Sequence, residues 1–549
     1  MPDSASAAVD TEKFRLRRFI ERLDAEGEVE THDENVALAD ISKIVEASDK
    51  ALRFKSAGPE KQELVANVMG SRKRLAVALE TTVEEVVPTF QARLNNKQPV
   101  VHVNRDQAPV QQVVLEGDDA DLTKLPFHPQ HAFDGSTYIS SAIDYAFDAD
   151  NEVTNVGCRR LSLRNSRECG TNVTAPSDLQ RIYRAAVRRG EKLPISFALG
   201  SHPIDFMAAG MRIPADEITL VGTLRGEPVP LVKSLTNDIM VPADAEMVIE
   251  GYLDERGYVE PEGPYGEYVG YYGAMHMDPV FHVTAITHRE DVLHQTLLHG
   301  SGKSLAKVES AALMSIRLEA QLWTMLKAAR VDVRAIHVPQ SGAEGQQIRI
   351  AINQQRPGQA RNVISTVLGG VFSAKHVFVT DADVDIRSQE DMDWAMASRF
   401  QADRDIIVMT GLMGMPMDPS LESDGPTGAK AGFDLTMPMS KKGSLMATVS
   451  GAPDLQGSAR YQTVEQALEA GPVYFTEIME ALGSRDGREI ALELDALRQA
   501  GRLVRDENGR YLLGSADNGA TGLTDEAHWH ATEGDPNRHV STDKITINR

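Results

Sequence analysis

Between Pro261 and Glu267 the chain reads Pro-Glu-Gly-Pro-Tyr-Gly-Glu, and no long regular element can hold that run. A proline and two glycines inside it exclude a helix. A straight strand would send Glu262 and Glu267, five positions apart, to opposite faces. A loop is what remains, and a loop can turn both carboxylates toward one pocket. Paired carboxylates whose surroundings separate their pKa values are a common source of one acid and one base. The plainer alternative is a surface turn with two solvated glutamates.

Size and charge narrow the class of protein around that loop. The 549 residues, 42% apolar and 25% charged, have room for roughly three or four domains with packed cores. A formal net charge of -23 argues against wrapping nucleic acid or lying on anionic lipid. Cys158 and Cys169 are the only cysteines, which points to a reducing compartment and away from disulfides or a cysteine zinc site. No apolar run reaches membrane-spanning length, and the N-terminal MPDSASAAVDTEKF has no charged-then-apolar pattern. The expectation is a cytoplasmic protein with no membrane or nucleic-acid partner.

After a loose arm (1–10), Leu16, Phe19, Ile20 and Leu23 recur at helical spacing, and Gly27 closes that helix. Gly70-Ser71-Arg72-Lys73-Arg74 reads as a turn into a solvated helix start. Strand-like runs dominate residues 137–300, at Tyr138–Phe147, Pro194–Leu199, Val229–Lys233, Pro279–Thr287 and Val292–Leu298. Ser177-Asp178-Leu179-Gln180 after Pro176 fits a capping box that opens an inserted helix. From 304 to 450 helices and strands alternate again, and Leu305 to about Ala329 forms a long helix. Phe475–Leu482 and Gly487–Ala500 read as helices, and Leu503–Arg505 and Tyr511–Leu513 as a hairpin around Glu507-Asn508-Gly509, an order like a winged helix. The tail 516–549 is polar and expected to be disordered, its His528 and His530 included.

Five further stretches invite a chemical reading. In Thr154-Asn155-Val156-Gly157-Cys158-Arg159-Arg160, Asn155 and Gly157 interrupt a strand, either as a bulge or where backbone meets a ligand. Asp216-Glu217 offers oxygen ligands or a helix start. Lys430 in Gly-Ala-Lys-Ala-Gly can hold a phosphate or lie free in solvent. Gly302-Lys303-Ser304 is no Walker end, because Leu297 stands where glycine is required, and Asp381–Asp385 is no calcium loop, because Ile386 and Met392 occupy its glycine and glutamate positions.

Five segments taken together resemble the UbiD-like decarboxylase family from about residue 14 to about 450: TNVGCRR (154–160), IPADEITLVG (213–222), LRGEPVPLVKSLTNDIMVPADAEMVIEG (224–251), PEGPYGEYVGYY (261–272) and GAKAGFDLT (428–436). The resemblance implies prenylated FMN, a divalent metal (manganese or magnesium) and potassium. It implies reversible, non-oxidative decarboxylation of an unsaturated or aromatic acid, with CO2 as the second partner. By position, Asn155 and Glu217 would ligate the metal, and Asp178 stands where the family's third ligand is usually histidine. That residue also suits the first turn of a capped helix. Val156, Gly157, Cys158, Arg159 and Arg160 would line the flavin, with Ser177 and Asp178 nearby and Lys430 on its phosphate. Arg160 would bind the substrate carboxylate, Glu262 would hold Arg160, and Glu267 would give or take the proton. Gln295 and His299 would line the far end of the substrate, favouring an aromatic or heteroaromatic acid.

The resulting fold expectation is multi-domain α/β: an N-terminal α/β domain (1–135), a central split β-barrel for prenylated FMN (136–303), a C-terminal α/β oligomerisation domain (304–455) and a winged-helix-like module (460–515). A homo-oligomer supplied with cofactor by a flavin prenyltransferase completes the picture. A regulator that senses an aromatic acid through the C-terminal module is the rival. Against it, Arg485, Arg488, Arg498, Arg502, Arg505 and Arg510 are matched by Asp486, Glu489, Glu493, Asp495, Asp506 and Glu507, leaving no basic face for DNA.

Overall fold

The strand-rich stretch closes on itself. A computed structural model describes residues 10–514, save 174–176, 214–215, 298, 302–304, 422–426, 458 and 507; the first nine residues and the tail from 515 lie outside the described residues. Six antiparallel strands run round a closed barrel in the order Met247–Leu253, Leu193–Leu199, Tyr138–Asp148, Val153–Leu163, Glu168–Thr171, Val280–His288 and back to Met247–Leu253. The side-chain period of two sends Ile139, Leu161, Phe197, Ile249 and Phe281 into the interior. There Phe197 and Phe281 meet edge to face at 5.0 Å. The alternate residues Ile143, Tyr145, Val156 and Val248 face outward and join the N-terminal helices in a second core.

Helix Leu16–Ala25 belongs to that second core, with Leu16, Phe19, Ile20 and Leu23 buried. Each such side chain contributes about 1.5–3 kcal/mol of burial. The helix entered at Ser71 is not a solvated start. Arg74 is buried, and its guanidinium bonds Asn67 Oδ1 at 3.2 Å and the Asp49 carbonyl at 2.9 Å. Two expected strands leave the central domain. Val229–Lys233 pairs with Val100–His102 and Met240–Pro242. His294–Thr296 adds in parallel to Gln62–Ala66, at the edge of the N-terminal sheet.

Ser177 caps helix Asp178–Arg189 by accepting from Gln180 N at 3.2 Å, as its capping box requires. Farther along, a sheet ordered Val333–His337, Gln347–Ile352, His376–Asp381, Thr427–Leu435, Ile406–Met413 packs against helices Glu309–Ala328 and Gln359–Gly370. The long helix begins at Glu309, after a 3-10 turn at Leu305–Lys307.

A separate compact unit begins at Met437. Its helices Val464–Glu469, Phe475–Leu482 and Arg488–Gln499 precede the hairpin Leu503–Arg505/Tyr511–Leu513, around a small core that includes Val464, Leu468, Ile478, Ile490 and Leu494. Among the described residues no helix is long and apolar enough to cross a membrane.

Candidate active site

Arg160 is the hub of a buried cluster. On strand Val153–Leu163 the two-residue period sends Arg160 to the Val156 side, away from the barrel interior occupied by Leu161. The run Pro261–Glu267 meets it there. That run is not the plain loop expected: Glu260–Glu262 and Tyr265–Gly266 are short strands flanking Gly263-Pro264. They pair Glu262 opposite His276 and Tyr265 opposite Gly273. Gly263 turns the chain with a φ of 88°, a conformation costly for other residues. Close approach fixes the far side, since a Cβ on Gly300 would sit 2.0 Å from the Glu267 carbonyl oxygen.

Both glutamates are consequently buried rather than solvated; the Glu262 side chain is 1% exposed and that of Glu267 11%. Arg160 donates from Nε and Nη2 to the two oxygens of Glu262 at 3.0 and 2.9 Å, and from Nη1 to Glu267 Oε1 at 2.8 Å. Its guanidinium also lies 4.2 Å from the ring centroid of Tyr265, a cation–π contact. The Tyr265 hydroxyl donates to Gln130 Oε1. Burial opposes the charge on Arg160, but the hydrogen bonds and charge of Glu262, then the charge of Glu267, outweigh it and push the pKa up.

Behind Glu262 stand two residues that the sequence reading missed. His276 Nε2 is 3.1 Å from Glu262 Oε2 and 3.2 Å from Asp278 Oδ2. Asp278 accepts from Val173 N at 3.3 Å, and burial raises its carboxyl to about 7, with His276 opposing the rise. The usable signal is register: the return strand His276–Asp278 runs antiparallel to Glu260–Glu262. Glu344 was missed as well. It is 7% exposed, has a φ of 54°, and its carboxyl is pushed up to about 7, chiefly by burial and in small part by the charge of Glu267.

His299 joins the cluster. Its Nε2 lies 3.9 Å from Glu267 Oε2 and its ring meets those of Tyr265 and Tyr268. Desolvation lowers its pKa to about 4, so it is neutral at pH 7. Gln295 goes elsewhere: its Oε1 accepts from Ser201 N at 3.1 Å, beside the N-terminal sheet.

On the other face of the strand, Asn155, Gly157 and Arg159 crowd Asp144. Asn155 Nδ2 donates to Asp144 Oδ2 at 2.7 Å, Arg159 Nε is 3.1 Å from Asp144 Oδ1, and a Cβ on Gly157 would sit 2.8 Å from that same oxygen. Gly157 is therefore small because a buried carboxylate needs the space, and burial raises that carboxylate to about 6. Glu217, just before helix Ile218–Arg225, accepts from Val156 N at 2.9 Å. With the Asn155 amide nitrogen taken by Asp144, its Oδ1 and the Glu217 carboxylate are oxygen donors of the type a hard divalent cation takes.

Two expected cofactor residues have other partners. Asp178 opens its helix and accepts from Arg212 Nε at 2.5 Å, which holds its carboxyl below the usual range. Lys430 is neither free nor on a loop. It lies in strand Thr427–Leu435, and its Nζ donates to the carbonyls of Leu368, Val371 and Phe372 at 3.4, 3.2 and 2.8 Å, at the C-terminal end of helix Gln359–Gly370. Cys158 is exposed and Ser177 is the helix cap.

Three family models cover most of the chain. They are the 3-octaprenyl-4-hydroxybenzoate carboxy-lyase N-terminal domain (residues 20–94), its Rift-related domain (101–302) and its C-terminal domain (311–435). Among solved structures, the UbiD-class enzyme HmfF of Pelotomaculum thermopropionicum, in complex with FMN, is 31% identical with a TM-score of 0.74, covering 79% of this chain and 97% of that one. The vanillic acid decarboxylase of Sedimentibacter hydroxybenzoicus is 27% identical with a TM-score of 0.72, over 81% and 96% of the two chains. The anhydromevalonate phosphate decarboxylase of Methanosarcina mazei is 29% identical over 78% of this chain and 97% of its own. With a closed barrel, three matched domains and relatives covered almost end to end, the chain belongs to the UbiD family and is a carboxy-lyase.

Proposed function

We propose that this protein catalyses the reversible, non-oxidative decarboxylation of an aromatic or heteroaromatic acid with prenylated FMN. One observation carries the reading: a buried guanidinium is gripped through both oxygens of Glu262 and shares its third nitrogen with Glu267. Losing CO2 from an sp2 carbon leaves an electron pair without a home, and prenylated FMN, when bound, supplies the sink for it. The HmfF enzyme of Pelotomaculum thermopropionicum was solved with FMN, and an evolved dimeric form of it with prenylated FMN, which supports this cofactor.

The protein's own groups then have distinct tasks. Arg160 presents a planar fork to the substrate carboxylate. Glu262 holds that fork in place and does not itself react. Glu267, at the open nitrogen of Arg160, is the proton donor. Once the carbon–carboxylate bond breaks and CO2 departs, the acid form of Glu267 passes its proton to that carbon and is left a carboxylate, beside Arg160 again. In the carboxylation direction Glu267 takes the proton back. Neutral His299, with Tyr265 and Tyr268, makes an aromatic, uncharged wall for a ring beyond the carboxylate. Asn155 and Glu217 would hold manganese or magnesium, with potassium as a further ion. Asp178 serves the helix start and Arg212. A homo-oligomer and supply by a flavin prenyltransferase complete the reading. In the C-terminal unit Arg488, Arg498, Arg502 and Arg510 are paired with Asp486, Asp495, Glu465 and Asp506, which supports a packing role over operator binding.

Co-expression with a flavin prenyltransferase, followed by CO2 release from a panel of acids, tests the substrate class. Turnover confined to a phosphorylated aliphatic acid, the kind of substrate named for the Methanosarcina mazei relative, would overturn the aromatic assignment. Glu267→Gln should keep the cofactor spectrum and lose turnover, and full activity in it would remove the proton-transfer role.

A further inference from the structure

Helix Glu309–Ala328 has two working faces. Ala312, Ser315, Ile316 and Glu319 fall on one, at helical spacing, and Met314 and Arg317 fall on the other. Arg317 bonds the Gly210 carbonyl and acts on Glu344 and Cys158, on the catalytic side. The opposite face borders a separate cavity of about 260 Å³.

The chemistry of that cavity is one-sided. Arg72, Arg349, Arg387 and His337 line it, together with Ser315, Gln340, Ser341 and Gln389, and no carboxylate is among its described lining residues. Glu319 behind the wall answers part of this charge, lying 2.8 Å from Arg72 Nη1 and 3.5 Å from His337 Nδ1. Arg349 is different. It is 5% exposed and forms no ion pair among the described residues. Nη1 and Nη2 reach only the Ile386 carbonyl at 3.2 Å and the neutral amide of Gln389 at 2.6 Å, and its buried Nε has no partner. The acid that acts on it, Asp393, is itself bonded to Gln389. A buried guanidinium with an unmet donor is expensive unless an anion comes to it. Burial holds its pKa below the usual guanidinium value.

We propose that this cavity is a second ligand site, distinct from the Arg160 cluster, that takes a small oxyanion, a carboxylate or a phosphate group, on Arg349 with Arg387 at its mouth. Titration calorimetry on the full chain tests it, with inorganic phosphate in one arm and acetate in the other. Each arm is run on the wild type and on Arg160→Met, which lacks the catalytic carboxylate binder. One equivalent of at least one oxyanion should still bind the Arg160→Met chain. Phosphate alone would assign phosphorylated ligands, and acetate alone would assign carboxylic acids. Arg349→Met should weaken that binding roughly tenfold or more, the loss of a charge-assisted hydrogen bond, and Arg387→Gln should weaken it less. Wild-type affinity in a folded Arg349→Met chain, or no saturable binding by Arg160→Met, would overturn the proposal. If Arg349→Met fails to fold, unchanged affinity in Arg387→Gln, an exposed position, overturns it equally.

Discussion

Replacing Glu262 by glutamine keeps the size of the side chain and removes its charge, which isolates what the grip on Arg160 contributes. In the native site both Glu262 oxygens accept from Arg160, at 3.0 and 2.9 Å, with the Glu262 side chain 1% exposed. Glutamine offers one acceptor and sets an NH2 group against a second guanidinium donor. Removing one partner of a buried pair costs about 3–5 kcal/mol when nothing replaces it. Arg160 still has Glu267 at 2.8 Å and the Tyr265 ring at 4.2 Å, so about 1.5–3 kcal/mol is the fitting range. The released guanidinium would turn more fully onto Glu267 and tie up the proposed proton donor. At about 1.36 kcal/mol per decade, kcat/KM should fall roughly ten- to a hundredfold. Thermal unfolding of the cofactor-free chain should drop in parallel, because the ion pair exists without cofactor. Steady-state CO2 release and calorimetric melting are the two assays. A Glu262→Gln chain with native kcat/KM and native melting would show that Arg160 is held by something other than Glu262.

Three further outcomes follow from the same geometry. Asp278 binds its proton more tightly folded than unfolded, so its contribution to stability declines as pH climbs from about 4 toward about 7. Asp278→Asn should flatten the stability–pH curve across that window, and an unchanged slope would show that Asp278 does not titrate there. For the metal, Glu217→Gln should reduce manganese affinity roughly tenfold or more, a loss typical of an altered ligand shell, while Asp178→Ala should leave it near native; equal losses in equilibrium dialysis would make Asp178 a ligand after all. Gly300→Ala would push a Cβ to 2.0 Å from the Glu267 carbonyl oxygen, so it should displace the segment that carries Glu267, just after strand Tyr265–Gly266, and abolish turnover with a lowered melting temperature. A fully active Gly300→Ala enzyme would contradict the packing described.

What could be read from the residues, and what could not, divides by the range of the interaction involved. The helix at Asp178 was legible because a Ser cap and a Gln three positions on act within one turn. The barrel strands were legible as runs, yet their closure rests on Met247–Leu253 pairing with Val280–His288, a contact between distant segments that leaves no local mark. Distant pairing also took His294–Thr296, and Gln295 with it, to the N-terminal sheet. Lys430 looked like a phosphate hook because small neighbours surround it; only the fold brings three helix-end carbonyls to its ammonium.

The same division accounts for the candidate catalytic cluster. Glu262 and Glu267 are visible in one short run, and Arg160 in another a hundred residues earlier, but His276 carries no pattern that marks it. Its place comes from register alone, since strand His276–Asp278, reached only after Tyr265–Gly266 has paired with Tyr272–Gly273, runs back opposite Glu260–Glu262. That return lets a single half-buried imidazole touch Glu262 and Asp278 together, at 3.1 and 3.2 Å. The Arg160 grip is thereby connected, through Glu262 and His276, to a carboxyl that changes charge near pH 7. A straight strand would have pointed Glu262 and Glu267 apart. The turn at Gly263-Pro264 brings both onto one guanidinium, and a second turn, closed by Glu267 N on the Tyr271 carbonyl at 2.8 Å, returns the chain so that His276 and Asp278 stand in behind Glu262.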